Sequence, residues 1–136
     1  MKCCSSHPGG PYWRNKDDGA WSIPKGEIGM SEDPERTARR EFAEELCPTA
    51  SIGSLQALGE VRQRGGERVI AFCGEVDFDT ASLSSNTFEI EWPPKSGRLC
   101  AFPEVDRAEW FDLEMARLKI LSGQIELIDR LEKETT

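Results

Sequence analysis

The spacing of apolar and polar positions along the chain predicts three helices separated by short strands and turns. Apolar residues recur at helical spacing over residues 34–46, where Asp33 is a typical N-cap and Pro48 ends the helix. A short helix capped by Asp112 and a final helix over residues 124–133 are predicted from similar signals. The inner face of the final helix carries three apolar residues, Ile125, Ile128 and Leu131.

The remaining apolar segments are short, are bounded by turn residues and predict strands. The clearest pair covers residues 55–61 and 68–77, which a Gly-Gly turn would join as a hairpin. A shorter extended segment is predicted over residues 86–91 and a last strand over residues 108–111, whereas residues 8–20 have the composition of turns and loop. Because strands are mixed with only a few helices, the pattern indicates an α/β or α+β sandwich.

Length and charge narrow the class of protein. The 136 residues fit one domain covering residues 1–136, and no repeat or linker divides them. A formal net charge of −8 argues against a general nucleic-acid binder or an anionic-membrane binder, since both need a basic surface. The sequence has no apolar run long enough to cross a membrane and no signal-peptide core. We therefore expect a cytoplasmic protein.

The sequence has five cysteines and a single histidine, His7, so few thiol and imidazole groups are available for catalysis or metal binding. The cysteines form no C-x-x-C pair, so a zinc site is not predicted. A catalytic thiol would need a basic partner, and His7 is the one imidazole in the sequence. We interpret the cysteines as structural, with Cys73 in an apolar strand.

The predicted helix over residues 34–46 concentrates negative charge on one face. Glu41, Glu44 and Glu45 are spaced i, i+3 and i+4, where like charges repel one another. They also lie towards the helix C-terminus, where the helix dipole disfavours anions. A hard cation such as Mg²⁺ or Mn²⁺ would make this cluster favourable. A solvated acidic face is the alternative that the three glutamates alone leave open.

The segment before this helix favours the metal interpretation. Residues 24–27 and Gly29, followed by Glu32, predict a turn with accessible backbone carbonyls just before the helix. Arg40 is adjacent to Glu41 and four residues before Glu44, so it can pair with the acidic cluster and restrict its rotamers. A turn, a helix and clustered carboxylates in this order are suited to holding a metal ion against phosphates.

The stretch from Gly26 to Glu45 resembles the signature of the Nudix hydrolases, G-x5-E-x7-R-E-U-x-E-E-x-G-U, in which U is apolar. The fixed positions that agree in register are Gly26, Glu32, Arg40, Glu41, Phe42, Glu44 and Glu45. The motif, residues 26–48, departs from the pattern at its end, where Cys47 replaces a glycine and Pro48 an apolar residue. Every carboxylate of the signature is retained, so the departures concern the exit from the helix.

The resemblance implies an α/β/α sandwich with a mixed sheet and Mg²⁺-dependent hydrolysis of a nucleoside diphosphate linked to another group, X. It implies metal binding by the carbonyl of Gly26 and by three carboxylates, those of Glu41, Glu44 and Glu45. Arg40 would orient the glutamates, and Glu32 would support the loop or the metal shell. The residues expected to take part in catalysis are therefore Glu32, Arg40, Glu44 and Glu45, one carboxylate accepting the proton of a metal-activated water.

Residues 21–26 resemble the W-x-x-P-K-G lead-in of Nudix enzymes that cleave dinucleoside polyphosphates or inositol pyrophosphates. In a functional interpretation, Lys25 contacts a substrate phosphate as a point charge. In a structural interpretation, the segment is a rigid turn with Trp21 in the core. The sequence leaves both interpretations open.

Residues 86–98 are dense in polar and aromatic groups. Trp92 could stack on a base, and Lys95 and Arg98 could contact phosphates. Nudix enzymes often place a further carboxylate outside the signature, as base or metal ligand, and the candidates here are Glu89, Glu91 and Glu104. A solvated edge strand followed by a proline turn is the alternative for each single residue.

The resemblance also implies an apolar first strand before the segment that begins at His7, and only residues 2–6 are available for it. We therefore predict that the first strand is absent or shortened, which would expose unpaired backbone. Three outcomes stay open: a strand recruited from a partner, as in a homodimer, tolerance of the loss, or a shortened form with reduced stability.

Two functional hypotheses follow. The first is a metal-dependent hydrolase whose partner is a small-molecule nucleotide diphosphate, with dinucleoside polyphosphates slightly preferred over nucleotide sugars, ADP-ribose and nucleoside triphosphates. The second is a Nudix-like module that binds a nucleotide for regulation and is catalytically weak or inactive. The combination of residues 7–11 with residues 91–94 resembles a bacterial subgroup of predicted Nudix pyrophosphohydrolases, and this resemblance does not specify a substrate. The enzyme hypothesis leads because the signature retains Arg40 and all three metal-binding glutamates.

Overall fold

A computed structural model describes residues 2–24, 33–63 and 65–135. In these residues the strands are β1 (Lys2–Pro8), β2 (Ser51–Ile52), β3 (Gln56–Arg62), β4 (Arg68–Cys73), β5 (Val76–Asp77), β6 (Thr87–Glu91), β7 (Leu99–Pro103) and β8 (Val105–Asp112). The helices are α1 (Pro34–Glu45), α2 (Leu113–Lys119) and α3 (Ile125–Thr135). This mixture of helices and strands confirms the predicted α+β class.

The strands form four antiparallel pairs, in which β1 pairs with β8, β2 with β5, β3 with β4 and β6 with β7. Within the described ranges, parallel pairing is limited to a bridge between Trp21 and Ile120. The implied mixed sheet is therefore represented by separate antiparallel ladders in these residues.

The prediction of an absent or shortened first strand is wrong. Residues Lys2–Pro8 form a strand that pairs with β8 along its whole length. On the other side, Ser6 and Ser22 exchange backbone hydrogen bonds of 2.8 and 2.9 Å. Because a ladder is made by backbone groups, a sequence rich in cysteine and serine can form it. The end of this strand is buried at three consecutive positions, Ser5, Ser6 and His7.

Helix α1 confirms the predicted helix and both of its ends. The Asp33 side chain accepts a hydrogen bond of 3.1 Å from the Arg36 N–H, and Pro34 occupies the first helical turn. At the other end, the Leu46 N–H donates to the Phe42 carbonyl at 3.0 Å. Phe42 and Leu46 are both buried, as the predicted inner face requires.

The two C-terminal helices also lie where they were predicted. Asp112 caps α2 by accepting a hydrogen bond of 2.8 Å from the Met115 N–H. In α3, Ile128 is buried as predicted, and Leu127 is a further buried residue that the spacing did not single out. No helix in the part of the chain that the structure describes is long and apolar enough to cross a membrane.

One buried cluster packs α1 against β8. Its members are Phe42, Leu46, Cys47, Phe78, Val105 and Ala108. The rings of Phe42 and Phe78 meet edge to face with their centroids 5.6 Å apart. Burial of one such apolar side chain contributes about 1.5–3 kcal/mol, so this cluster is a major constraint on the position of α1.

The hairpin of β3 and β4 is confirmed, but the predicted strand over residues 68–77 is divided. β4 ends at Cys73, and β5 pairs with β2 instead of continuing the hairpin. A Cβ atom at Gly74 would lie 2.6 Å from the Ser54 carbonyl oxygen, so the backbone passes too close for a larger residue. The chain changes its strand partner at this glycine.

Trp21 lies in the core with 1% of its surface exposed, in agreement with the structural interpretation of the lead-in. Its indole N–H donates a hydrogen bond of 2.8 Å to Asp17 Oδ1. Lys119 Nζ lies 2.6 Å from Asp17 Oδ2 and 2.9 Å from Asp18 Oδ1. Hydrogen bonds from Lys119 and Trp21 lower the pKa of Asp17. Asp17 therefore connects the loop after β1 to the core and to the end of α2.

We expect Asp17→Ala to lower the thermal midpoint at neutral pH more than Asp18→Ala does, because Asp18 pairs with Lys119 but not with the Trp21 indole. The pKa of Asp17 is lowered in the folded state. Its contribution is therefore present above the unfolded carboxyl pKa of about 3.9 and is lost as the pH falls through the folded value. Thermal melts between neutral pH and about pH 3 should show the difference narrowing below about pH 4. Equal effects of the two variants at neutral pH would contradict the prediction.

Candidate active site

The acidic face of α1 is organised around Arg40. Its Nη1 atom lies 3.1 Å from Glu41 Oε1 and 3.2 Å from Glu44 Oε2. One guanidinium group therefore lies between two carboxylates that would otherwise repel each other, as the spacing predicts. Glu45 follows on the same helix and is half-buried.

Glu41 occupies a less polar environment than Glu44. The exposed fraction of its side chain is 14%, compared with 44% for Glu44. Burial raises the pKa of Glu41, Arg40 opposes this increase, and the negative charges of Glu44 and Glu104 add to it. A bound cation would stabilise a carboxylate that is both partly desolvated and surrounded by other carboxylates.

Glu104 reaches the same region from the turn between β7 and β8. Its neighbour Val105 belongs to the buried cluster that also contains Phe42, the neighbour of Glu41. This packing brings Glu104 close enough to interact electrostatically with Glu41. The other two candidate carboxylates, Glu89 and Glu91, lie exposed on β6.

Three predicted site residues lie outside the described residues, namely Lys25, Gly26 and Glu32. Their expected roles depend on the motif. Over residues 2–24, 33–63 and 65–135, no three His, Cys, Asp or Glu side chains form a ready-made metal site. The donor chemistry of the α1 face nevertheless fits a hard cation, because its carboxylate oxygens already surround one positive group between Glu41 and Glu44.

The other predicted substrate-binding residues lie at the turn between β6 and β7. Trp92 packs edge to face against Tyr12 with ring centroids 5.4 Å apart. The Trp92 N–H donates a hydrogen bond of 3.0 Å to the Arg98 carbonyl, which closes the turn. The side chains of Lys95 and Arg98 are exposed. This turn therefore presents one aromatic ring and two cations, and their contact with a substrate stays a prediction.

The sequence interpretation missed a pocket of about 280 Å³ beside this turn. We call it the aromatic pocket, and its lining consists of Pro8, Gly9, Gly10, Pro11, Tyr12, Trp13, Phe88 and Glu104. The proline and glycine content of residues 8–20 predicts a loop and gives no sign of a pocket. Two adjacent aromatic residues in a polar loop were the available signal, since exposed aromatic surface in a loop often marks a contact site.

His7 holds the loop that forms this pocket. The side chain is fully buried, with Nδ1 2.8 Å from Asp106 Oδ1 and Nε2 2.6 Å from the Lys16 carbonyl oxygen. Its ring also meets Trp21 edge to face with centroids 5.1 Å apart. The imidazole thereby connects β1 to β8 and to the far end of the loop, so its role is structural.

The cysteines are free thiols, and most of them are poorly suited to nucleophilic chemistry. Burial raises the pKa of Cys4 to about 12 and also raises the pKa values of Cys3 and Cys73. Hydrogen bonding by Thr49 lowers the pKa of Cys47, but this thiol lies in the buried cluster beside α1. The geometry agrees with a structural interpretation of the cysteines.

A family model of the NUDIX domain matches residues 8–131. The chain belongs to the Nudix family, which confirms the resemblance found in the sequence. It is a hydrolase that acts on phosphoric anhydride bonds, with pyrophosphohydrolase-type activity on nucleoside diphosphates linked to X. A search of curated proteins found no match to this chain.

We expect Arg40→Gln to lower the thermal midpoint by a few degrees at low ionic strength, because Glu41 and Glu44 lose the cation between them. Arg36→Gln is the matched control, since Arg36 lies on the same helix and, in the described structure, forms no ion pair with either glutamate. The groups are partly exposed, so the effect is small and should decrease as salt screens the repulsion. Thermal melts at low and high salt measure it. Equal losses in the two variants at low salt would contradict the bridging role.

Proposed function

We propose that this chain is a Mg²⁺-dependent hydrolase of nucleoside diphosphates linked to X and that its metal site is the acidic face of α1. The proposal is based on two ion pairs, in which Glu41 and Glu44 both contact the guanidinium group of Arg40. Glu45 adds a third carboxylate from the same helix. Oxygen donors of this kind suit Mg²⁺, with Mn²⁺ as the alternative cation.

The motif and the geometry together support a division of roles. Glu41, Glu44 and Glu45 bind the cation, and Arg40 orients Glu41 and Glu44. By their positions in the motif, the Gly26 carbonyl is a further ligand and the Glu32 side chain supports the loop. When bound, Mg²⁺ supplies charge neutralisation on the diphosphate and lowers the pKa of the attacking water.

We assign the acceptance of the water's proton to Glu104 in preference to Glu89 or Glu91. The support is the buried cluster that contains both Val105 and Phe42, because their chain neighbours are Glu104 and Glu41. A general base must lie within hydrogen-bond reach of the water, directly or through one further water, so closeness to Glu41 favours Glu104.

Glu104→Gln is expected to lower kcat by about 100-fold with little change in KM, because the amide cannot accept the proton while the metal site stays intact. Glu89→Gln is the matched control on an exposed strand and should keep the activity of the unsubstituted protein. Steady-state kinetics at saturating Mg²⁺ measure both variants. A larger loss in Glu89→Gln than in Glu104→Gln would reverse the assignment.

The substrate class is the least constrained part of the proposal. The W-x-x-P-K-G lead-in favours dinucleoside polyphosphates over nucleotide sugars, ADP-ribose and nucleoside triphosphates. Because Trp21 is buried, Lys25 is the lead-in residue that we propose as a phosphate contact. Lys95 and Arg98 are proposed as further phosphate contacts, with Trp92 beside the base. We propose that the substrate is a small cytoplasmic nucleotide.

The direct test is hydrolysis of a panel of these nucleotides in the presence of Mg²⁺, followed by chromatography of the products. We expect cleavage of at least one compound and loss of that cleavage in EDTA. Glu44→Gln should lower the rate by about 100-fold or more, because a metal-held phosphoryl group contributes several kcal/mol. Its thermal midpoint should be similar or higher, since repulsion between carboxylates decreases.

Glu35→Gln is the matched control for this variant, because Glu35 is an exposed glutamate in the first turn of α1 and pairs with Arg39. It should hydrolyse the substrate at the rate of the unsubstituted protein. If Glu44→Gln also did so, the proposed metal site would be wrong. If the folded protein cleaved no compound of the panel, the nucleotide-binding module would become the better interpretation.

A further inference from the structure

The aromatic pocket is a surface cavity lined by residues from three parts of the chain. Its lining includes Tyr12 and Trp13 of the loop after β1, Phe88 of β6 and Glu104 of the turn before β8. Tyr12 is 57% exposed, and Trp13 is exposed as well. Large aromatic side chains exposed together beside a cavity are unusual on a protein surface and mark a contact with a ligand or partner.

The walls of the pocket are close-packed behind these exposed rings. Gly10 has φ = 97°, and a Cβ atom there would lie 2.9 Å from Phe88 Cζ, so the loop rests directly on the Phe88 ring. A Cβ atom at Gly9 would lie 1.8 Å from the Pro103 carbonyl oxygen. The glycines therefore bring the loop against β6 and β7 at a distance that no other residue permits.

Hydrogen bonds hold the loop at both ends. The Gly9 N–H donates to the Glu104 carbonyl at 3.0 Å, and the buried His7 ring reaches Asp106 and the Lys16 carbonyl. Trp13 is further restrained by Lys16 Nζ, which lies 5.1 Å from its ring centroid. The aromatic rings are thus positioned before a ligand binds, which lowers the entropy lost on binding.

The position of the pocket relates it to the proposed metal site. Glu104 lines the pocket, and the neighbouring Val105 packs with Phe42 in the cluster that fixes α1. A ligand in the pocket would therefore lie beside Glu104, which precedes a residue of that cluster. The volume of about 280 Å³ is smaller than that of most sites for whole drug-sized ligands, so it suits one ring system.

We propose that the aromatic pocket binds the purine base of the nucleoside diphosphate, with Tyr12 and Trp13 stacking on the base and the diphosphate reaching the α1 carboxylates past Glu104. This assignment rests on the proposed function, because the direction of the bound nucleotide depends on a metal on α1. Stacking on aromatic rings suits a base, since every base has a flat face and needs no opposite charge from this acidic chain.

The test compares two nucleotide probes that resist hydrolysis with a third probe that lacks the nucleoside. In Mg²⁺, α,β-methylene-ADP and its guanosine counterpart carry the base, and methylenediphosphonate lacks it. Calorimetry should show that Tyr12→Ala and Trp13→Ala weaken binding of at least one nucleotide probe by about 5-fold or more. Binding of methylenediphosphonate should stay unchanged. Tyr12→Phe and Trp13→Phe should restore nucleotide affinity, because they keep an aromatic ring.

Leu118→Ala is the control, since Leu118 is another exposed apolar residue, on α2, and does not line the pocket. It should bind every probe like the unsubstituted protein, and thermal melts check that each variant is folded. If Tyr12→Ala and Trp13→Ala bound both nucleotides with unchanged affinity, the proposed base-binding role of the aromatic pocket would be wrong. The proposed metal site would not be affected by that result. The same conclusion follows if neither nucleotide bound more tightly than methylenediphosphonate.

A separate measurement distinguishes failure of the metal site from failure of the pocket. If methylenediphosphonate did not bind in Mg²⁺, the proposed metal site would fail. The base-binding role of the pocket would then be tested with adenosine and guanosine alone, by following the NMR signal of the Trp13 indole N–H. A change in that signal, reduced in Tyr12→Ala, supports the pocket, and an unchanged signal with both nucleosides overturns it.

Discussion

The packing of α1 on the start of β8 is the contact on which the candidate site depends. Phe42 and Val105 meet in one buried cluster, and their chain neighbours are Glu41 and Glu104. Burial of apolar surface supplies the free energy that holds these acidic groups near one another despite their mutual repulsion. Arg40 offsets part of that repulsion from the exposed side of the helix. An apolar contact therefore determines the geometry of a polar site.

Strand β8 connects the other parts of the molecule to this contact. It pairs with β1 along its length. Its Asp106 side chain is hydrogen-bonded to the buried His7 ring, which positions the loop of the aromatic pocket. Phe111, near its end, packs against Trp21 with ring centroids 5.0 Å apart. The acidic face, the aromatic pocket and the Trp21 core thus share one strand as their support, so a displacement of β8 would affect all three.

The elements that the sequence predicted well are those whose signals are local. Helix α1 is an example, because Asp33, Pro34 and the apolar spacing of Phe42 and Leu46 determine its ends and inner face without reference to distant residues. The motif also placed Arg40 within reach of Glu41 and Glu44 on the same helix. Strand β1 was missed for the opposite reason. Its sequence has weak strand propensity, and pairing with β8, about a hundred residues away, supplies the hydrogen bonds that define it.

The sequence by itself determined the family, the acidic helix and the chemistry that its carboxylates can perform, because residue type and helical spacing are enough to specify a cluster of oxygen ligands. Only the tertiary structure showed that Glu104 is near enough to Glu41 to influence it electrostatically, since that depends on which distant turn lies beside α1. The aromatic pocket likewise exists only after β1, β6 and β7 come together, because contacts distant in sequence leave no periodic signal in the chain.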